Sequence, residues 1–295
     1  MAINPYLTLG KYVVVQKAAE PISELAIMEF GNKPSDGGNL LIEPEEVKDL
    51  KLGTDQEKRF LKTILGSKEF INGKSRYCLW IKDVHLEEAL SIPTISTRIE
   101  SVRQVRLASR DKGANALAKR AHQLKLMRIG KRHSIVVAAI SSERRNYLPT
   151  GLIDRNTTIT NKCFALYDAP LWNLSILASC LHWVWIGTVC VRMRTDFSYS
   201  NTLGWNTFPI LTLTEQNKAD LTRCAEEILL AREHYFPATI ADMYDPTRMD
   251  TEFPLVRQAH DRNDEVLERI YIGRRFKNDT ERLEKLFELY TKMTS

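Results

Sequence analysis

Leu171–Pro209 runs LWNLSILASCLHWVWIGTVCVRMRTDFSYSNTLGWNTFP. Up to Val191 its only Asp, Glu, Lys, Arg or His residue is His182. A helix of that length would cross a bilayer. Against a span, Asn173, Ser175, Ser179, Gly187 and Thr188 interrupt the apolar run, strand-like segments flank it, and it has no counterpart elsewhere in the chain. The segment therefore predicts a buried core helix, broken near Gly187, and no membrane partner. Arg192–Ser200 then alternates like a strand, with Arg192, Arg194, Asp196 and Ser198 on one side. After Pro209 the composition changes. From Glu215 onward 13 bases face 17 acids, and the pattern is purely helical.

Outward from that stretch, the chain before Pro209 mixes short strands with helices. Tyr12–Val15, Tyr77–Ile81, Ile135–Ile140 and two or three runs within Leu148–Leu166 read as strands. Pro44–Leu50 and Asp55–Leu65 read as helices, the latter with Phe60, Leu61, Ile64 and Leu65 in one stripe. Asn72-Gly73 carries a hairpin-turn signal. Leu86 to about Met127 reads as mostly helical. Beyond Pro209, Thr214 suits the N-cap of a helix reaching Tyr235, a second helix covers Leu255–Ile270, and a third starts after Asn278 or Asp279. The expected fold is α+β, with a mixed-strand domain over 1–208 and a small all-α domain over 209–295. A chain of 295 residues is long enough for two cores.

The N-terminus lacks the features of a signal peptide. The five cysteines, Cys78, Cys163, Cys180, Cys190 and Cys224, are scattered and form no C-x-x-C pair. This pattern argues against a structural zinc or a disulfide framework and suits a reducing cytoplasm.

Charge is concentrated in one place. Between Arg98 and Arg132 eleven Lys or Arg stand against Glu100 and Asp111, so the stretch nets +9 in a chain of net +5. Focused positive charge suits a polyanion, whose condensed counterions are released on binding. It also suits a solvated helical face, or a module docking an acidic protein partner.

Several motifs invite chemistry. The loop FGNKPSDGGN (30–39) fits neither phosphate-binding glycine pattern and reads as a structural turn. Asp36, Glu46 and Lys48 imitate the carboxylate-and-lysine set of magnesium nucleases, which makes a small metal-dependent nuclease the rival enzyme reading. That set needs a strand, however, and PEEVKDL looks helical. Asn4-Pro5-Tyr6 falls one proline short of the methyltransferase N-P-P-Y motif. Ser141, Ser142, Arg144 and Arg145 follow a buried strand and suit phosphate contacts, or an Arg–Glu surface network. Arg194 and Asp196 could read the two edges of a G·C pair, or bridge each other.

Five blocks occur in order: FGNKPSDGGNLL, GSKEFINGKSRYCLWIKD, SIVVAAISSERRNYLP, HWVWIGTVCVRMRTDFSYSNTLGWNTFP, and ADMYDP with a LFELYTKM ending. Together they resemble the C-terminal part of the MmeI-like restriction–modification enzymes and related adenine-specific DNA methyltransferases, over nearly the whole chain. The resemblance implies a DNA target recognition domain followed by a helical extension. Catalysis and the S-adenosylmethionine cofactor are expected in a domain upstream of this chain, and magnesium only with a nuclease domain. The implied partners are double-stranded DNA and that methyltransferase domain. The family's base-reading pair falls on Arg194 and Asp196; members carry either acid-x-Arg or Lys-x-acid there, and Arg194-Thr-Asp196 resembles the second with Arg in place of Lys. Ser198 falls on another reading position, with Lys162 as its partner. Lys131, Arg132 and Arg128, with the Ser141–Arg145 loop, are expected to grip phosphates. No catalytic residue is expected in the chain itself.

Overall fold

The computed structural model describes residues 3–8 and 12–295. The chain is α+β and separates into two compact units, each assembled from distant segments. One comprises residues 1–29, 133–152 and 164–295, and the other 30–132 and 153–163.

In the second unit the sheet order is Leu41–Ile42, Tyr77–Leu79, Leu61–Leu65, Thr157–Ile159. The first three strands pair antiparallel, and Leu61–Leu65 pairs parallel with Thr157–Ile159. The predicted Asp55–Leu65 helix is thus two elements, a helix Thr54–Phe60 and then a strand. Backbone partners on both sides of Leu61–Leu65 outweigh its helical stripe. Asn72-Gly73 closes no hairpin. Gly73, at φ +62°, caps the helix Ser67–Asn72, its N–H donating to the Glu69 carbonyl. Pro44–Leu50 is a 3₁₀ helix. Beyond the helix Pro93–Leu107, the expected helical run dissolves into Lys112–Ala116 and a 3₁₀ turn, Leu117–Arg120. Leu40, Ile42, Phe60, Ile64, Leu79 and Ile95 lie at the centre of this unit's core.

In the first unit a four-stranded sheet has the order Glu29–Phe30, Cys163–Tyr167, His133–Ala138, Thr150–Asp154. The expected strand Tyr12–Val15 adopts no strand pairing over its described residues. The apolar segment breaks at Ser179, whose hydroxyl accepts from the His182 N–H and starts a new helix, Cys180–Val189, after Trp172–Leu177. The predicted break at Gly187 does not occur, because Gly187 sits inside that helix. Among the described residues no helix is long and apolar enough to cross a membrane. His182 is fully buried beside the Tyr199 hydroxyl at 3.0 Å, and burial pushes its imidazole down to about 3, so it stays neutral.

The C-terminal helices follow their caps. Thr214 accepts from the Asn217 N–H at the head of Glu215–His234, and Asn278 from the Glu281 N–H at the head of Asp279–Thr294. Pro254–Ile272 lies between them in sequence. These helices do not form a core of their own. Leu221, Ala225, Ile228, Leu267, Leu286 and Phe287 share one apolar cluster with Ile135, Val137, Phe164, Trp185 and Trp205. Compactness therefore does not divide the chain at Pro209. Tyr147 and helix Pro254–Ile272 are further joined by a buried bond from the Tyr147 hydroxyl to Asp264 Oδ2 (2.9 Å), while Asp264 Oδ1 accepts from the Cys180 N–H (2.7 Å).

Candidate nucleic-acid interface

Arg192–Met193 and Asp196–Ser198 form an antiparallel hairpin, with Arg192 opposite Phe197 and Met193 opposite Asp196. Arg194 and Thr195 are its two-residue turn. Arg194 takes φ +60°, the positive value that the first position of a tight hairpin turn demands. Its side chain is exposed, and among the described residues no ion pair or hydrogen bond engages it. The expected Arg–Asp bridge does not form.

The hairpin corrects the alternation expected for 192–198. A chain reversal at Arg194 puts residues directly opposite each other on one face. Arg192 thus shares a face with Phe197, while Met193, Asp196 and Ser198 occupy the other. The guanidinium of Arg192 lies 4.8 Å from the centre of the Phe197 ring and is ion-paired to Glu143. It belongs to the stem. Phe197 is buried, edge-on to Trp183 at 4.8 Å, and its ring covers Gly187.

The third strand of this sheet is Ile140–Ser141, with Ser141 opposite Phe197 and Ile140 opposite Ser198. Two segments singled out from the sequence therefore meet in one small sheet, the strand that leads into the Ser141–Arg145 loop lying beside Asp196–Ser198. Within the loop the roles divide. Ser141 is buried at 2% exposure, and its hydroxyl accepts from Arg145 Nη1 at 3.3 Å. It cannot meet a phosphate directly and holds Arg145 instead. Burial lowers the Arg145 pKa, and the nearby carboxylates of Asp196 and Asp245 oppose that shift. Ser142 Oγ accepts from the Arg144 N–H at 3.4 Å, closing the turn. Arg144 is exposed.

In the other unit, Lys162 is exposed on the turn that follows Thr157–Ile159, with its N–H directed at Thr160 Oγ1 (3.3 Å) and its carbonyl accepting from the Ser67 hydroxyl. Lys131 and Arg132 are exposed, and Arg128 is half-buried. The backbone of Arg128 is held by Asn32, which accepts from its N–H and donates to its carbonyl, both at 2.8 Å. The glycine loop earns its composition here. A Cβ on Gly31 would meet the Thr160 carbonyl oxygen at 2.2 Å, so only glycine lets Asn32 reach Arg128 and Thr158.

The basic stretch is less uniform than its charge. Arg106 is 1% exposed, and its guanidinium donates to the carbonyls of Pro34, Ser35, Leu117, Arg120 and Gln123 at 2.7–3.1 Å. It is a core crosslink that satisfies loop carbonyls, and no polyanion can reach it. Arg98 pairs with Glu46, and Arg103 with Glu100. Arg110, Lys112, Lys119, Arg120 and Lys125 are exposed. Sequence reasoning did not single them out, and only their place between short helical turns separates them from Arg106.

The nuclease set does not assemble. Asp36 is buried and accepts from the N–H groups of Gly38 (3.1 Å) and Leu40 (2.6 Å). Glu46 accepts from the Glu43 N–H and from Arg98, and Lys48 lies on the 3₁₀ helix rather than a strand. Among the described residues no cluster of His, Cys, Asp and Glu could hold a metal. Asn4 turns back on its own segment, accepting from the N–H groups of Tyr6 and Thr8.

The fold is an α+β scaffold closed by helices, with a hairpin tip that presents Arg194 near the Asp196 carboxylate, and the family models identify it as a target-recognition class of domain. The chain belongs to the MmeI family. Residues 9–212 match the family model "MmeI, target recognition domain", and residues 213–295 match "MmeI, C-terminal domain". It is 39% identical over 292 residues to "DNA methyltransferase A" of Bacillus subtilis (strain 168), covering 99% of this chain and 33% of that protein. Its structure is similar to that of the type IIL restriction–modification enzyme MmeI solved in complex with DNA, at a TM-score of 0.91 and 31% identity over 99% of this chain and 39% of that one. The chain thus spans a third of its curated relative.

Proposed function

We propose that the chain recognises a specific duplex DNA sequence as the target-recognition and C-terminal portion of an adenine-N6 DNA methyltransferase of restriction–modification type, working in the cytoplasm. Arg194 donates to guanine, Asp196 accepts from a cytosine amino group, and Ser198 and Lys162 each read a further base. Lys131, Arg132, Arg128, Arg144 and Ser142 contact phosphates and set register, and Ser141 and Arg145 brace the loop that carries Ser142 and Arg144. Methyl transfer and S-adenosylmethionine belong to a domain outside this chain, and magnesium only to a nuclease domain.

The observation that carries the reading is Arg194, exposed and, among the described residues, without an ion pair or hydrogen bond, at the turn of a hairpin anchored by the buried Phe197. A fixed stem with a free guanidinium can enter a groove at low entropic cost, since only the tip side chain must be ordered. The test is selection of bound duplexes from a randomised library by the purified chain, followed by sequencing. A recurring motif with at least one fixed G·C pair is expected, and binding without sequence preference would end the proposal.

A further inference from the structure

The stem of the hairpin is held by a notch in a helix. A Cβ built on Gly187 would stand 3.2 Å from Cζ of Phe197, and 3.7 and 3.8 Å from its two Cε atoms, so the ring occupies the space a side chain would need. The edge contact with Trp183 fixes one side of that ring. The Arg192 guanidinium lies over the ring and is tied to Glu143 in the neighbouring loop. Phe197 is flanked in sequence by Asp196 and Ser198, and its backbone pairs with Arg192 and Ser141. Any shift of the ring therefore shifts both proposed reading residues and the turn that carries Arg194. Within a helix a glycine costs stability relative to alanine, and packing against Phe197 gives it a reason to be there.

We propose that the Phe197–Gly187 contact, clasped by Arg192 and Glu143, positions the hairpin tip for base discrimination. Phe197, Gly187, Arg192 and Glu143 are positioning residues that never touch DNA. This inference rests on the base-reading role given above to Arg194 and Asp196. Gly187→Ala pushes on the ring by a few tenths of an ångström and displaces the tip, while the exposed cations that meet phosphates stay where they are. Phe197→Leu in the Gly187→Ala background vacates the ring's outer edge, where the new methyl group needs room.

The experiment uses the full 295-residue chain. The duplex motif is selected from a randomised library with the parent chain. Each variant is then measured against that duplex, against duplexes changed at single base pairs, and against calf-thymus DNA. Gly187→Ala is expected to lower discrimination by about fivefold or more at the base pairs that Arg194→Ala also flattens, fivefold being the lower bound for one good base contact. Calf-thymus DNA binding should stay within about twofold, since phosphate contacts carry nonspecific affinity. Retained bulk binding also shows that the variant folds. Phe197→Leu added to Gly187→Ala should recover part of the discrimination. If Gly187→Ala keeps the full preference while Arg194→Ala loses it, the positioning role is wrong and the base-reading proposal survives. If Arg194→Ala also keeps it, or the parent chain selects no motif, both fail.

Discussion

Replacing Arg194 by glycine separates what this residue does for folding from what it does for recognition. Its backbone sits at φ +60°, a region that costs an L-residue on the order of 1–2 kcal/mol and glycine almost nothing. Glycine brings its own penalty of about 0.5–1 kcal/mol through the freedom of the unfolded chain. The side chain is exposed, and among the described residues no hydrogen bond or ion pair engages it. Arg194→Gly should therefore leave stability unchanged or raise it by up to about 1.5 kcal/mol. Arg194→Ala keeps the backbone strain and should sit near the parent. Both should lose roughly 1–3 kcal/mol of discrimination at one base pair. Urea unfolding followed by tryptophan fluorescence gives the first quantity. Fluorescence anisotropy on the selected duplex and its single-pair variants gives the second. A glycine variant clearly less stable than the parent would show that the guanidinium holds the tip in place. A glycine variant with intact discrimination would remove Arg194 from base reading.

Lys131→Ala and Arg132→Ala should each weaken binding to all duplexes alike and reduce the slope of log K against log salt by about 0.9, checked by a salt titration. Arg106→Met should destabilise the chain by several kcal/mol, because five loop carbonyls lose their charged donor in a buried site, and urea unfolding should show it without any matching loss of salt slope. Asp264 supplies a pH test. Burial pushes its carboxyl up to about 6 from the usual 3.8, so the folded chain takes up this proton more readily than the unfolded one. Stability from this site is then greatest below about pH 4 and falls as pH rises toward 6. Relative to Asp264→Asn, which does not titrate, the parent should lose on the order of 2–3 kcal/mol across that window. Parallel unfolding curves for the two proteins between pH 4 and 7 would refute it.

Where local signals and tertiary partners agreed, the sequence was legible. The Glu215–His234 and Asp279–Thr294 helices begin at Thr214 and Asn278, as their caps require. Signals failed where distant strands intervened. Leu61–Leu65 has a helical stripe, but it lies between Tyr77–Leu79 and Thr157–Ile159, and no local window contains both partners. Charge counts could not separate Arg106 from Arg110, because that difference is made by carbonyls seventy residues upstream as well as by the turn that follows. Arg194 and Asp196 were singled out from residue type and resemblance. Their geometry was not, because a period-two reading of 192–198 has no way to mark the reversal at Arg194. The Gly187–Phe197 contact had no sequence signal at all.

Both units close on strands or helices that arrive from far along the polypeptide. A truncation at residue 208 would remove Leu221, Ala225, Ile228, Leu286 and Phe287 from the larger core and strip Trp185 of Phe287 and Tyr290, the rings it packs against. Excising residues 30–132 would strip Leu61–Leu65 from Thr157–Ile159, orphaning the last strand of its sheet. Fragments for dissection must accordingly follow three-dimensional units rather than single cut points. The helical tail is thus part of the hairpin's own scaffold, since Leu286 and Phe287 of the last helix and Trp185 of the helix that carries Gly187 sit in one apolar cluster.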